Sequence, residues 1–233
     1  GIKPLYYISY DRGVMFASEV RSILEHFRLH VTPSGISAYL GVGACPEEEL
    51  LFPAIECLPP AHYLVLGHDG IVRREQYWAP NLFQVGKPKS DRPSQRVREL
   101  METSVRQHLL SDVPVAVFLS GGIDSSILTA IASKYHRQRL RTFTVGFAQA
   151  EFDETQNAAE VAARYGTEHT CISLSEDAVI AMVCEAVESM DLPTVDGINT
   201  YIISKTVANA GIKVALSGLG ADEIFGGYPS FVD

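Results

Sequence analysis

The chain has 233 residues, 46% of them hydrophobic and 20% charged, which is ordinary for a globular protein and enough to bury one large core or two small ones. A formal net charge of −9 and a pI near 5.3 speak against a nucleic-acid partner, which usually demands a basic surface. No apolar run approaches the roughly 20 residues of a membrane span and no signal peptide opens the chain, so neither membrane insertion nor export is expected.

The first 79 residues read as a mainly β region with small helices. Leu5–Ser9 and Val14–Ala17 flank a hairpin turn, Tyr10-Asp-Arg-Gly13. A short helix is expected near Glu19–Phe27. A second follows near Ser34–Leu40, with Thr32 as N-cap and Pro33 at its first position. His62–Leu66 and Ile71–Gln76 flank His68-Asp-Gly70, another hairpin signal. The stretch Ala79–Pro93, rich in Pro, Gly and Lys, has no clear periodicity and reads as a linker.

Helices and strands then alternate. Val97, Leu100, Met101, Val105 and Leu109 share one helical face, with Ser94 as the expected N-cap. Strands are expected at Val115–Leu119, Arg141–Phe147, His169–Ser173 and Lys213–Leu216. The intervening helices are Ile123–Tyr135, Asp153–Tyr165, Glu176–Met190 and Ile198–Ala210, and Asp153 with Gln156 resembles a capping box. Such alternation predicts an α/β fold, a mostly parallel sheet with helices on both faces. Ligands of such sheets gather beyond the strand C-termini, where Ser120, Val145 and Ser217 are expected.

Two strand ends carry the chemistry. Pro114-Val-Ala-Val-Phe-Leu-Ser-Gly-Gly-Ile-Asp-Ser-Ser-Ile127 is a β-branched run, a small-residue turn and a helix start. Backbone N–H groups at such a turn and the positive end of the helix suit an anion, and glycines let a polyphosphate approach closely. Ser120, Ser125 and Ser126 add hydroxyls, and Asp124 places a carboxylate for a Mg²⁺ shared with phosphate. The Gly-x4-Gly-Lys-Ser/Thr loop is excluded, because no lysine follows these glycines. Ser217-Gly-Leu-Gly-Ala-Asp-Glu-Ile-Phe-Gly-Gly-Tyr228 repeats the arrangement, with the acid pair Asp222–Glu223. Two such turns suit opposite sides of one nucleotide.

The four cysteines, Cys45, Cys57, Cys171 and Cys184, show neither Cys-x-x-Cys spacing nor zinc-type histidine partners, so a reduced, cytoplasmic protein is expected. The histidines are scattered and suggest no site. The opening Gly1-Ile-Lys-Pro-Leu-Tyr-Tyr7 already reads as a strand, and Asp233 follows a glycine turn, so a piece of a longer chain is expected.

The run Ser120-Gly-Gly-Ile-Asp-Ser-Ser126 resembles the pyrophosphate loop of ATP pyrophosphatases. With Phe143-Thr-Val-Gly-Phe147 and the Ser217–Tyr228 motif, the chain resembles the asparagine synthetase family of glutamine-dependent amidotransferases. Gly1–Tyr7, Phe16-Ala-Ser-Glu19 and Leu58-Pro-Pro-Ala-His-Tyr63 resemble the latter part of its class II glutamine amidotransferase domain. The resemblance implies three segments: residues 1–79 ending the amidotransferase domain, 80–93 linking, and 94–233 beginning a domain of ATP-pyrophosphatase type.

It further implies that Leu119, Val145, Ser217 and Gly218 line the AMP portion of ATP. Ser120, Gly121, Gly122 and Ser125 would cradle pyrophosphate, and Asp124 and Asp222 would hold Mg²⁺ with Glu223 nearby. The implied reaction is adenylation of an acceptor carboxylate, aspartate in the parent family, followed by attack of ammonia drawn from glutamine. A homodimer is compatible with the family. Three departures stand out. The family's N-terminal cysteine nucleophile has no counterpart here, so the 233 residues alone are expected to lack glutaminase activity. Leu219 stands where many members carry the glutamate associated with acyl-adenylate formation. The segment Asp191-Leu-Pro-Thr-Val-Asp-Gly-Ile-Asn-Thr-Tyr201 lacks an arginine for aspartate's carboxylates and carries Asp196 instead. A β-lactam synthetase, an amidotransferase for another carboxylate, and a nucleotide-binding protein without turnover are the competing readings.

Overall fold

The computed structural model describes residues 3–46, 50–68, 70–80, 92–147 and 154–228. The chain divides into two compact units, Gly1–Gly86 with Cys184–Asn199, and Lys87–Val183 with Thr200–Asp233. Asp69, Asp153 and most of the Ala79–Pro93 connection lie outside the described residues. Among those residues, no helix is long and apolar enough to cross a membrane.

In the first unit, β1 (Tyr6–Tyr10) and β2 (Gly13–Ala17) form the expected antiparallel hairpin, in register from Tyr6↔Ala17 to Tyr10↔Gly13. The other side of β1 pairs with β3 (Glu56–Cys57), a two-residue strand too short to leave an alternation in the sequence. β4 (His62–Gly67) and β5 (Gly70–Gln76) make a separate hairpin. α1 (Val20–Leu24) is shorter than expected, since Glu25 already ends it. α2 (Pro33–Val42) begins as the sequence indicates, with the Thr32 hydroxyl accepting from the Gly35 N–H at 3.3 Å. Ile8, Val20, Ile23, Leu50, Ile55 and Cys57 form the core. Tyr7 is buried to 1% exposure, and its hydroxyl donates to Glu56 at 2.6 Å. Burial, with Glu56 adding to it, pushes the Tyr7 pKa above its usual range.

The second unit holds a wholly parallel sheet in the order β8-β7-β6-β9, built from β6 (Val115–Phe118), β7 (Arg141–Phe147), β8 (Glu168–Leu174) and β9 (Val214–Leu216). The helices here are α3 (Pro93–His108), α4 (Ile123–Tyr135), α5 (Thr155–Tyr165) and α8 (Ala221–Phe225), while α6 (Glu176–Ser189) and α7 (Gly197–Asn209) span the points where the chain changes unit. Successive β6 side chains point to opposite faces. Val117 packs with Val105, Ala132 and Leu140, whereas Ala116 packs with Phe143, Val207 and Ile212. Helices therefore cover both faces, which is why β6 is apolar throughout. Each such valine contributes about 1.5–3 kcal/mol by leaving water.

One expected cap is corrected. Ser94 lies inside α3, and Arg92 holds the N-cap position. Pro93 explains the shift: its fixed φ and missing N–H suit the first helical position, which moves the start one residue ahead of Ser94.

Candidate active site

Beyond Phe118 the chain stays fastened to β7. The Leu119 N–H donates to Phe143 O at 2.8 Å, and the Leu119 carbonyl accepts the Thr144 hydroxyl. The Leu119 side chain is 1% exposed and packs with Ala158 and Ala162 of α5. Leu119 thus forms the apolar floor of the sheet's end. The chain turns at Gly121, whose φ is +85°. A Cβ there would stand 2.6 Å from the Asn157 Cβ and 2.7 Å from the Ala158 nitrogen. Backbone conformation and space both require glycine.

Hydroxyl groups fix the turn from within. Ser125 Oγ donates to Gly122 O at 3.3 Å and accepts from the Ser120 N–H at 3.3 Å. With its single proton committed, it accepts from the Ser120 hydroxyl 3.0 Å away. Ser120 Oγ in turn accepts from the Gly122 N–H at 3.3 Å. α4 then starts with Gly122 at its N-cap and no side-chain cap, so its first-turn N–H groups and positive dipole end lack a side-chain acceptor. Asp124 lies in that first turn. This geometry suits an anion.

The second turn comes against the first. Gly218, two residues beyond β9, lies so near α4 that a Cβ on it would be 3.1 Å from both the Asp124 Cβ and the Ser125 nitrogen. The register agrees, since Phe118 pairs with Phe143 and Val117 with Leu216, which puts both turns at the C-terminal edge of the sheet. Val145 shares that edge by register but lies inside β7, paired with Ile172. Ser217 is exposed and its hydroxyl accepts from the Leu219 N–H at 3.2 Å. Leu219 is 83% exposed.

α8 was not expected from the sequence. Gly220 opens it at φ +98°, and Asp222 and Glu223 occupy its first turn. The Asp222 carboxylate fills the space a side chain on Gly227 would need. Glu223 accepts from the Tyr228 hydroxyl at 2.8 Å. Among the described residues, no three His, Cys, Asp or Glu side chains cluster as a metal site. The acids at these turns are those of Asp124, Asp222 and Glu223. Asn157 and Ala158, which close over Gly121, carry no local signal that could have marked them. Thr144 did carry one, because a buried hydroxyl in a strand needs a partner.

Residues 96–233 match the asparagine synthase family, and residues 1–78 match a glutamine amidotransferase domain family. The chain is 36% identical over 231 residues to asparagine synthetase [glutamine-hydrolyzing] 1 of Bacillus subtilis (strain 168), covering 98% of this chain and 36% of that protein. It is 34% identical over 251 residues to asparagine synthetase B [glutamine-hydrolyzing] of Escherichia coli (strain K12), covering 99% and 40% respectively. The chain thus spans well under half the length of these relatives. Among solved structures it is similar to an NH3-dependent NAD synthetase from Campylobacter jejuni, with 15% identity, a TM-score of 0.38 and coverage of 53% of this chain and 54% of that one.

Proposed function

The chain belongs to the asparagine synthase family, and from that premise we propose that it is part of a glutamine-dependent, ATP-consuming ligase that forms an amide on a carboxylate, aspartate in the first instance. Residues 1–79 end its amidotransferase domain, 80–93 link, and 94–233 begin its ATP domain. The observation that carries the reading is the approach of Gly218 to Asp124 and Ser125, which joins two phosphate-type turns into one pocket edge.

In this reading Ser120, Gly121, Gly122 and Ser125 hold the pyrophosphate portion of ATP, through backbone N–H groups and the uncapped start of α4. Val145, Ser217 and Gly218 form the surface for AMP, with the buried Leu119 as the floor beneath it. An acceptor carboxylate oxygen bonds to the α-phosphorus as the bond to the bridging oxygen breaks and pyrophosphate leaves. Ammonia from glutamine then bonds to the acyl carbon, and AMP departs with the carboxylate oxygen. The chain's contribution is orientation and charge compensation by fixed dipoles, with no covalent protein intermediate required. The donor set fits Mg²⁺, which commonly takes one or two carboxylates and completes its shell with phosphate and water. Asp124 and Asp222 would hold it, and it would neutralise phosphate charge. Small-molecule substrates, no nucleic acid, a cytoplasmic location and a homodimer accord with this assignment.

Leu219 favours a second reading for the acceptor. An exposed apolar residue stands where the resemblance leads one to expect a glutamate, which suits a carboxylate other than aspartate. One experiment addresses both readings: nucleotide products of the full-length protein, assayed across a panel of carboxylates with glutamine or ammonia. The expected result is stoichiometric AMP and pyrophosphate, with the preferred acceptor identified by rate. Stoichiometric ADP overturns the ATP chemistry, and ATP binding without turnover on any acceptor favours a nucleotide-binding role.

A further inference from the structure

The peptide group between Leu119 and Ser120 marks where β6 has ended and the first turn begins. The register of β6 with β7 runs to Phe118↔Phe143. One residue on, the Leu119 N–H still donates to Phe143 O at 2.8 Å, but the Leu119 carbonyl is taken by a side chain, the Thr144 hydroxyl. Thr144 is 5% exposed and Leu119 1%, so this bond lies away from water. Alternation along β7 accounts for the placement. Phe143 packs with Ala116, Val207 and Ile212, and Thr144 faces the other side of the sheet, where Leu119 packs with Ala158 and Ala162 of α5.

The same peptide group is also held at its other end. The carbonyl of Leu119 and the N–H of Ser120 belong to one planar unit. The carbonyl accepts from Thr144, while the N–H donates to Ser125 Oγ at 3.3 Å. One clamp therefore comes from β7 and the other from the first turn of α4. Rotating the plane breaks at least one buried hydrogen bond. That plane sets the direction in which the chain enters Gly121 at φ +85°, and with it the direction of the backbone N–H groups that follow. A valine would suit the strand as well as a threonine does, so strand formation does not call for the hydroxyl.

Thr142 offers a comparison within one strand. It shares the Thr144 face and is 0% exposed. Its hydroxyl lies 2.9 Å from the Thr167 hydroxyl and 3.0 Å from His169 Nδ1. Those partners sit at or just before the start of β8, whereas the turns lie at the C-terminal edge of the sheet. One buried threonine braces the strands, and the other reaches the turn.

We infer that Thr144 is a positioning residue for the pyrophosphate end of ATP, its hydroxyl holding the first turn through the Leu119–Ser120 peptide. The inference rests on the function proposed above and deepens it. With its proton committed and its side chain buried, Thr144 acts through the backbone and not on the nucleotide.

The test titrates full-length Thr144→Val, Thr144→Ser and Thr142→Val with Mg·ATP and, separately, with AMP by calorimetry. Thr144→Val keeps the shape and leaves the buried Leu119 carbonyl without this donor. Its Mg·ATP affinity should fall about tenfold, with AMP affinity within about twofold of wild type. Thr144→Ser keeps the donor and should bind Mg·ATP within about threefold of wild type. Thr142→Val should lower the unfolding midpoint and leave Mg·ATP affinity within about twofold.

Unchanged Mg·ATP affinity in Thr144→Val overturns the inference. So does an equal loss of ATP and AMP affinity, the mark of a strand end merely loosened. Thr144→Ser binding as weakly as Thr144→Val overturns it too, since the hydroxyl would not then be the agent. Should Thr144→Val fail to fold, Thr144→Cys keeps the volume with only a weak S–H donor, and undiminished Mg·ATP affinity there overturns the inference equally. A wild-type protein that binds neither Mg·ATP nor AMP removes the proposed ATP chemistry and this inference together. Wild-type binding with an ATP-to-AMP affinity ratio unmoved by Thr144→Val removes the inference alone.

Discussion

The turns after β6 and β9 open with the same pair of residues, Ser-Gly, yet they are held in opposite ways. The first follows a strand paired on both sides, and three hydrogen bonds to Ser125 Oγ lock it from beneath. The second follows a three-residue edge strand, exposes Ser217 and Leu219, and is tied by the Leu219 N–H donating to the Ser217 hydroxyl and the Ala221 N–H donating to Gly218 O. Under the proposed function, the first turn would be preorganised for a pyrophosphate group. The second, more exposed, would be the one that faces the acceptor in that reading.

The largest test of that contrast is Gly121→Ala. A side chain at φ +85° that also meets the Ala158 backbone should cost about 3 kcal/mol in denaturant unfolding. A cost under about 1 kcal/mol would show that the first turn yields easily, and the contrast would fail. Next comes Asp124→Ala, which should weaken Mg²⁺-dependent ATP binding about a hundredfold, or roughly 2.7 kcal/mol, by calorimetry. Its unfolding midpoint should not move, and unchanged affinity would remove Asp124 from the site.

Paired serine variants sharpen the comparison. Ser125→Ala breaks the buried network and should destabilise by about 1 kcal/mol, whereas Ser217→Ala should stay within about 0.5 kcal/mol. Equal losses would mean that the two turns are equally built. The smallest effect is expected for Leu219→Glu, with stability unchanged within about 0.5 kcal/mol because the side chain is exposed. AMP formation by the full-length variant should change by less than about tenfold, equivalent to about 1.4 kcal/mol of barrier. A thousandfold gain would instead mean that the glutamate's contribution is missing from this protein.

Long elements with clear punctuation were legible in the sequence. α4 and β7 have the bounds expected of them, because a glycine turn opens the one and a β-branched alternation defines the other. Elements without such signals were not. β3 and α8 are too short for any period to register, and Pro93 displaced the start of α3 from the more obvious Ser94. At the candidate site, the residues of each turn could be read as motifs. Their partners could not: Asn157 over Gly121 and Asp191 under α1 arrive by packing, the latter from 171 residues away. Leu119 shows a subtler limit, since a residue beside a motif can serve the core with its side chain while its backbone serves the strand end.

The parallel pairing of β9 beside β6 has a consequence for synthesis. Val115 must wait for Val214, and a ribosome adding 5–20 residues per second takes about 5–20 s to make the chain between them. Within that interval β7 emerges to pair with β6 and β8 to pair with β7, while the strand that bears the second turn does not yet exist. Once α5 has emerged, the nascent chain therefore holds the first turn in place with the turn opposite it still unmade. Parallel contacts so distant in sequence also form slowly. Early on, the bare flank of β6 is an open strand edge, and a chaperone or a neighbouring nascent chain would meet it before β9 does.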